Sequence, residues 1–235
     1  MKTNNKLTNA ENHASNSNVN LSDWLGGVTA LRVLVACEYS GRVRNAFAKL
    51  GHDATSCDLL PTESEGKHYT GNVFDIINDG WDLMIAHPPC TYLSRAGARW
   101  LYGGGKINKK RYEQGLNGKE FFMELLNAPI PQIAIENPTP LKIYELPKHT
   151  QAIQPFEYGH EYSKRTLLWL KNLPPLKPTN IKNNYKPYLP SNTGGKKHGQ
   201  KYSFGTARNA TESSRTFEGI ANAMAEQWGG KVTST

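Results

Sequence analysis

Apolar runs of strand length recur along this chain, with stretches of helical spacing between them. Residues 31–37 form the first run, and residues 41–50 follow with Val43, Ala46, Phe47 and Leu50 on one helical face and Gly51 as the stop. Residues 54–58 predict a short second strand, 73–76 lie near a third, 82–86 make a fourth and 133–136 a fifth. Between the last two, residues 111–127 read as a helix with Leu116, Phe122, Leu125 and Leu126 along its apolar side. Residues 166–170 predict a further strand in an antiparallel part of the sheet, and residues 216–228 a closing helix with Ile220, Ala223, Met224 and Gln227 spaced to pack. Strands alternating with helices predict an α/β fold, a doubly wound and mostly parallel sheet covered on both faces.

Composition narrows the setting. With 235 residues and 37% hydrophobic content, the chain suits one domain with a sizeable core. Residues 1–28 are polar, rich in Asn and Ser, and predict a disordered tail. No apolar stretch there has the length of a signal peptide, and no run approaches the roughly 20 apolar residues of a membrane span. Cys37, Cys57 and Cys90 show neither disulfide nor metal-type spacing, which fits a reducing cytoplasm and no metal. A formal charge of +8 favours a polyanion partner. The cations gather at Arg95, Arg99, Lys106, Lys109, Lys110 and Arg111, and again between Lys177 and Arg215 among Tyr185, Tyr188 and Tyr202. Residues 172–214 therefore read as a short, basic, aromatic loop region that contacts nucleic acid, set between catalytic-domain residues 29–171 and 215–230.

Chemistry is concentrated at the strand ends. Asp82-Leu83-Met84-Ile85-Ala86 runs into His87-Pro88-Pro89-Cys90, and Ile133-Ala134-Ile135 runs into Glu136-Asn137-Pro138. In an open α/β sheet, ligands sit outside the carboxyl ends of the strands, so a thiol and a carboxylate face one crevice. A free Cys is more often a small buried hydrophobe than a nucleophile. Two prolines before Cys90, however, rigidify the chain, remove two donors and forbid an immediate helix, which holds the thiol on a fixed turn. Glu136 at the end of an apolar strand is costly to bury unless something hydrogen-bonds to it. After the first strand, Ala36-Cys37-Glu38-Tyr39-Ser40-Gly41 is a strand-to-helix turn, and Asp58 closes the second strand. That layout suits an adenosine-type ligand, with the acid on the ribose hydroxyls. The full glycine fingerprint is absent, and Gly41 serves equally well as a helix start.

Taken together, residues 32–228 resemble the cytosine-5 DNA methyltransferase family in motif order. The resemblance implies a Rossmann-like S-adenosylmethionine-dependent fold. It makes residues 36–41 the cofactor loop, Asp58 the ribose-binding acid, Asn72-Val73-Phe74-Asp75 the next cofactor segment with Asp75 toward the adenine, and residues 219–224 the motif that folds back beside the methionine portion. Glu38, Tyr39, Ser40, Gly41, Asp58, Asp75, Pro88 and Asn222 are then cofactor residues, and Pro89, Ser94, Arg95, Asn137 and Lys164 substrate residues. Cys90 is the family's nucleophile: it adds to carbon 6 of cytosine so that carbon 5 accepts the methyl group. Glu136 holds N3 and the exocyclic amine of the base. Carbon 6 is unreachable within a duplex, so the base is flipped out or already single-stranded. Amino-methyltransferases place Asp or Asn before the two prolines and an aromatic after them; His87 and Cys90 in those places argue for the covalent route.

Two departures matter. The family's base-binding strand carries two arginines one residue apart, whereas Ser163-Lys164-Arg165-Thr166-Leu167 leaves that catalytic part to Arg165 or Lys164. The 172–214 segment is far shorter than the family's recognition domains, which predicts relaxed sequence preference on duplex or single-stranded DNA. The loop of residues 91–110, with Gly103-Gly104-Gly105, resembles the mobile flap after the nucleophile. Compact versions of this kind resemble those of phages and mobile elements, which would act in the host cytoplasm. The same covalent chemistry on RNA or a free nucleotide, or with another donor, stays open. So does a protein that binds nucleic acid or cofactor without catalysis.

Overall fold

The computed structural model describes residues 28–188, 212 and 214–233. The chain runs β1 (Arg32–Ala36), α1 (Arg42–Lys49), β2 (Asp53–Asp58), β3 (His68–Thr70), β4 (Leu83–Ala86), α2 (Ala98–Leu101), α3 (Lys109–Leu126), β5 (Gln132–Asn137), β6 (Gln151–Ile153), β7 (Tyr162–Ser163), β8 (Thr166–Lys171), β9 (Lys186–Pro187) and α4 (Glu218–Met224). The last helix continues as a π-type turn over Ala225–Gly229.

Seven strands form one sheet in the order β3-β2-β1-β4-β5-β8-β6, and β7 pairs with β9 in a small second sheet. All neighbours from β3 to β5 are parallel, and β8 runs antiparallel between β5 and β6. The α/β, mostly parallel architecture expected from the alternation is therefore the observed one. The continuous apolar runs have a physical reason, because each central strand is buried on both faces. On β1, Val33 and Val35 enter one layer with Phe47 of α1 and Ile220, Met224 and Trp228 of the closing segment. Leu34 and Ala36 enter the other layer with Leu93, Leu101 and, from α3, Phe122 and Leu125. Each of these large side chains contributes about 1.5–3 kcal/mol on full burial.

Several expectations are corrected. Residues 73–76 lie near the third strand, His68–Thr70, without forming it: the Asn72 side chain accepts the Phe74 N–H at 3.1 Å and starts a 3₁₀ turn over Val73–Asp75. On α3, Leu116 is exposed, and the buried neighbour is Gly115, whose missing side chain leaves room for the Tyr144 ring. Gln227 does not pack into the core; its amide bonds both the N–H and the carbonyl of Lys177 at 2.8 Å. Tyr188 is buried against Tyr162 and Phe217, so it belongs to the core and not to a nucleic-acid surface. Tyr185 is half-exposed and stacks on Phe156. Tyr202, with most of the basic segment, lies outside the described residues, as do residues 1–27 of the polar tail. Among the described residues, no helix is long and apolar enough to cross a membrane.

From β1 the chain builds outward through β2 and β3, then returns to place β4 on the other side of β1. The crossover opens a crevice at the carboxyl ends of β1 and β4, where ligands bind in sheets of this kind. Antiparallel β8 starts at that same end, since Leu167 pairs with Asn137. Lys164 and Arg165 therefore arrive at the crevice from the amino end of their strand.

Candidate active site

The His87 N–H still bonds the Ala36 carbonyl at 2.9 Å, and two prolines then carry the chain away from the sheet. Pro88 is buried, and its carbonyl accepts the Asn137 side-chain amide at 3.1 Å, which ties the ends of β4 and β5 together. Cys90 comes next, half-buried, and its carbonyl takes the N–H groups of Leu93 at 3.2 Å and Ser94 at 2.9 Å. Buried Ser94 also hydrogen-bonds the thiol through its hydroxyl. Burial pushes the Cys90 thiol above its ordinary value and the Glu136 charge adds to that; Lys164, the backbone and Ser94 pull the other way.

Glu136 meets the requirement for a partner. Its Oε2 accepts His87 Nδ1 at 3.0 Å and the Thr216 hydroxyl at 3.2 Å. Burial alone would raise this carboxyl, but the His87 hydrogen bond and charge, with Lys164 and Thr216, outweigh it and hold the group at about 2. Burial correspondingly opposes a charged imidazole, yet Glu136 raises His87 above its ordinary 6.5. Among the described residues nothing hydrogen-bonds to Oε1 of Glu136, the oxygen left for a ligand. Lys164 is half-buried, and its charge is felt at Cys90, Glu136 and His87 alike. Arg165 is exposed, with its Nη1 on the Thr139 hydroxyl at 3.2 Å.

Two cavities flank this group and share Cys37 as a wall. The larger, about 280 Å³, is lined by Asp58, Asn72, Val73, Pro89 and Phe121. The smaller, about 120 Å³, is lined by Tyr39, Ser40, His87, Arg215 and Thr216, with Glu38 in its wall. Backbone conformation shapes the turn between them. Cys37 has φ +59° and Gly41 φ +70°, and a side chain on Gly41 would collide with the Ser64 hydroxyl and the Arg44 guanidinium. Arg44, fully buried, holds the 62–67 loop through the Ser64 hydroxyl at 2.7 Å and the Glu65 carbonyl at 2.6 Å.

The predicted residues separate accordingly. Cys90, Glu136, Lys164, Ser94 and Asn137 come together around the thiol. Tyr39 and Ser40 line the smaller cavity and Asp58 the larger, whereas Gly41 lines neither and starts α1 against Ser64 and Arg44. Glu38 spends its carboxylate inside the fold, accepting the N–H groups of Val43 at 2.8 Å and Arg44 at 3.2 Å at the start of α1. Asp75 does not line the larger cavity: Tyr69 engages it through a 3.1 Å hydrogen bond, and Asn72 and Val73 form the wall. Asn222 faces solvent on α4, between buried Ala221 and Ala223. Pro89, expected at the substrate, lines the larger cavity, and Pro88, expected at the cofactor, is internal. Arg95 is exposed, and its backbone N–H bonds the Thr139 carbonyl at 2.9 Å.

His87, Arg215 and Thr216 have no assigned part in the sequence reading. His87 stood inside the motif as a charge able to pair Glu136; Thr216 lies 80 residues from Glu136, and no local pattern links them. A third recess of about 350 Å³ borders the stretch after Cys90, lined by Thr91, Trp100, Asn108, Lys110, Arg111 and Gln114. Arg111 braces that stretch, donating to the Thr91 carbonyl at 2.8 Å and lying over the Tyr92 ring.

The sequence matches no family model and no curated protein. Among solved structures, the chain is similar to the Entamoeba histolytica methyltransferase EhMeth, with a TM-score of 0.39 and 13% identity over 66% of this chain. The match spans 58% of that protein, less than two thirds of its length.

Proposed function

We propose that the protein transfers a methyl group from S-adenosylmethionine to carbon 5 of cytosine in DNA, with Cys90 as covalent nucleophile. The observation that carries this reading is the convergence of a thiol, an ionised carboxylate with one free oxygen and a lysine at the sheet's switch point, beside two cavities that share Cys37 as a wall. The cavities fit the methyl donor: an apolar wall beside the Asp58 carboxylate suits a nucleoside, and the smaller polar space suits an amino-acid end. Bound there, the cofactor supplies an electrophilic methyl group.

The protein's own part follows from charge. The Oε1 atom of Glu136 accepts the exocyclic amine of the base, and Lys164, the cation felt throughout the pocket, takes the carbonyl edge in preference to Arg165. The Cys90 thiol loses its proton to solvent, and the sulfur adds to carbon 6. Negative charge then develops on the ring. An ionised Glu136 alone would oppose it; paired with His87 and Lys164, the local balance becomes cationic and favours it. Exposed Lys109 and Lys110, with Trp100 and Arg111, form the surface that receives the strand carrying the extruded base.

A duplex with 5-fluorocytosine at candidate positions tests the covalent step, because fluorine blocks loss of the carbon-5 proton and strands the adduct. With S-adenosylmethionine present, the expected result is a denaturation-stable complex whose linkage maps to Cys90. A linkage elsewhere, or no complex on DNA that the protein demonstrably binds, overturns the reading.

A further inference from the structure

The thiol and carboxylate use only part of the polar equipment at this end of the sheet. His87 donates through Nδ1 to Glu136, but its Nε2 is buried without a hydrogen-bond partner among the described residues. Arg215 has the same condition at Nε, although its Nη2 is committed to both oxygens of Glu63 at 2.6 and 2.8 Å. These two side chains, 128 positions apart in sequence, line the same cavity of about 120 Å³. A buried polar nitrogen without a partner is costly; Nε of Arg215 is an N–H, and Nε2 of His87 is one when the imidazole is protonated, so a bound group with lone pairs and negative charge would satisfy both. Glu38 does not supply it, because its oxygens already accept Val43, Arg44 and the Ser40 hydroxyl.

We propose that the smaller cavity is a carboxylate site and that His87 is a positioning residue joining it to Glu136. Nε2–H of His87 and Nε–H of Arg215 donate to the carboxylate at the amino-acid end of the methyl donor, while Nδ1–H holds Oε2 of Glu136. The inference rests on the methyl-donor reading above. An imidazole that donates from both nitrogens is a cation, and each anion stabilises the charge the other uses. Filling the cavity therefore firms the grip on Glu136, and a base held by Glu136 strengthens cofactor binding by the same factor.

Calorimetry on the full chain tests it with two probes: S-adenosylhomocysteine, and methylthioadenosine, which keeps the nucleoside and sulfur but lacks the amino-acid end. His87→Asn places an amide nitrogen near Nδ1 and nothing at Nε2; His87→Gln does the reverse. The wild type is expected to prefer S-adenosylhomocysteine. His87→Asn should cut that preference at least tenfold while leaving methylthioadenosine affinity within twofold, which also shows that the variant is folded. His87→Gln should keep the preference within threefold. An unchanged preference in His87→Asn overturns the inference, as does equal loss of both probes in both variants, which would make the imidazole merely structural. Wild-type protein that binds neither probe overturns the methyl-donor reading itself.

Discussion

Glu136 is held ionised by His87, Lys164 and Thr216 together. Its carboxyl lies well below its ordinary 4.5, so the stability it contributes is complete above that value and is lost as pH falls toward about 2. His87 is shifted upward, so its share is complete below 6.5 and is lost as pH rises through its folded value. The pair therefore stabilises most between about pH 4.5 and 6.5. Glu136→Gln should lower unfolding stability at pH 6 by roughly 3 kcal/mol, because it leaves a buried cation uncompensated. It should also flatten the acid limb of the stability profile measured by chemical denaturation. Parallel acid limbs in wild type and variant would place the dependence on other groups. At this scale the sequence was a good guide to which types meet, since a strand-end carboxylate demanded a partner. It did not say which one, because the pairing of His87 and Thr216 with Glu136 depends on three separate segments closing together.

Among the elements, those built on strong apolar runs were legible, and the short ones were not. β1, β4, β5 and β8 bury both faces and announce themselves. β3 and β6 are three residues each, held at the sheet margins by backbone pairing, and β6 carries one buried apolar side chain, Ile153. The turn from β1 into α1 was legible in part: a glycine was visible at position 41, but the reason for it is the arriving 62–67 loop. Gly41→Ala should therefore cost about 1–3 kcal/mol through left-handed backbone strain, with more from displacing Ser64 and Arg44. Thermal melting checks this, and an unchanged midpoint would mean that the turn relaxes freely.

For the molecule as a whole, the proposed function requires a polyanion at one face. A net charge of +8 and the basic rim beside the stretch after Cys90 predict salt-dependent DNA binding. Replacing Lys109 and Lys110 by Gln should weaken binding similarly on unrelated sequences and reduce the salt slope by about 2. Titration over a salt series measures this; an unchanged slope would move the contact surface elsewhere. Within the described part of the basic segment, Tyr188 is core and not surface.

Covalent cytosine methylation through Cys90 is tested most directly by nucleoside analysis. Unmodified DNA incubated with the protein and S-adenosylmethionine, digested to nucleosides and weighed by mass spectrometry, should show deoxycytidine heavier by one methyl group, and Cys90→Ala should abolish the gain without loss of DNA affinity. A methyl group on another nucleoside, or a gain that persists in Cys90→Ala, would contradict the account.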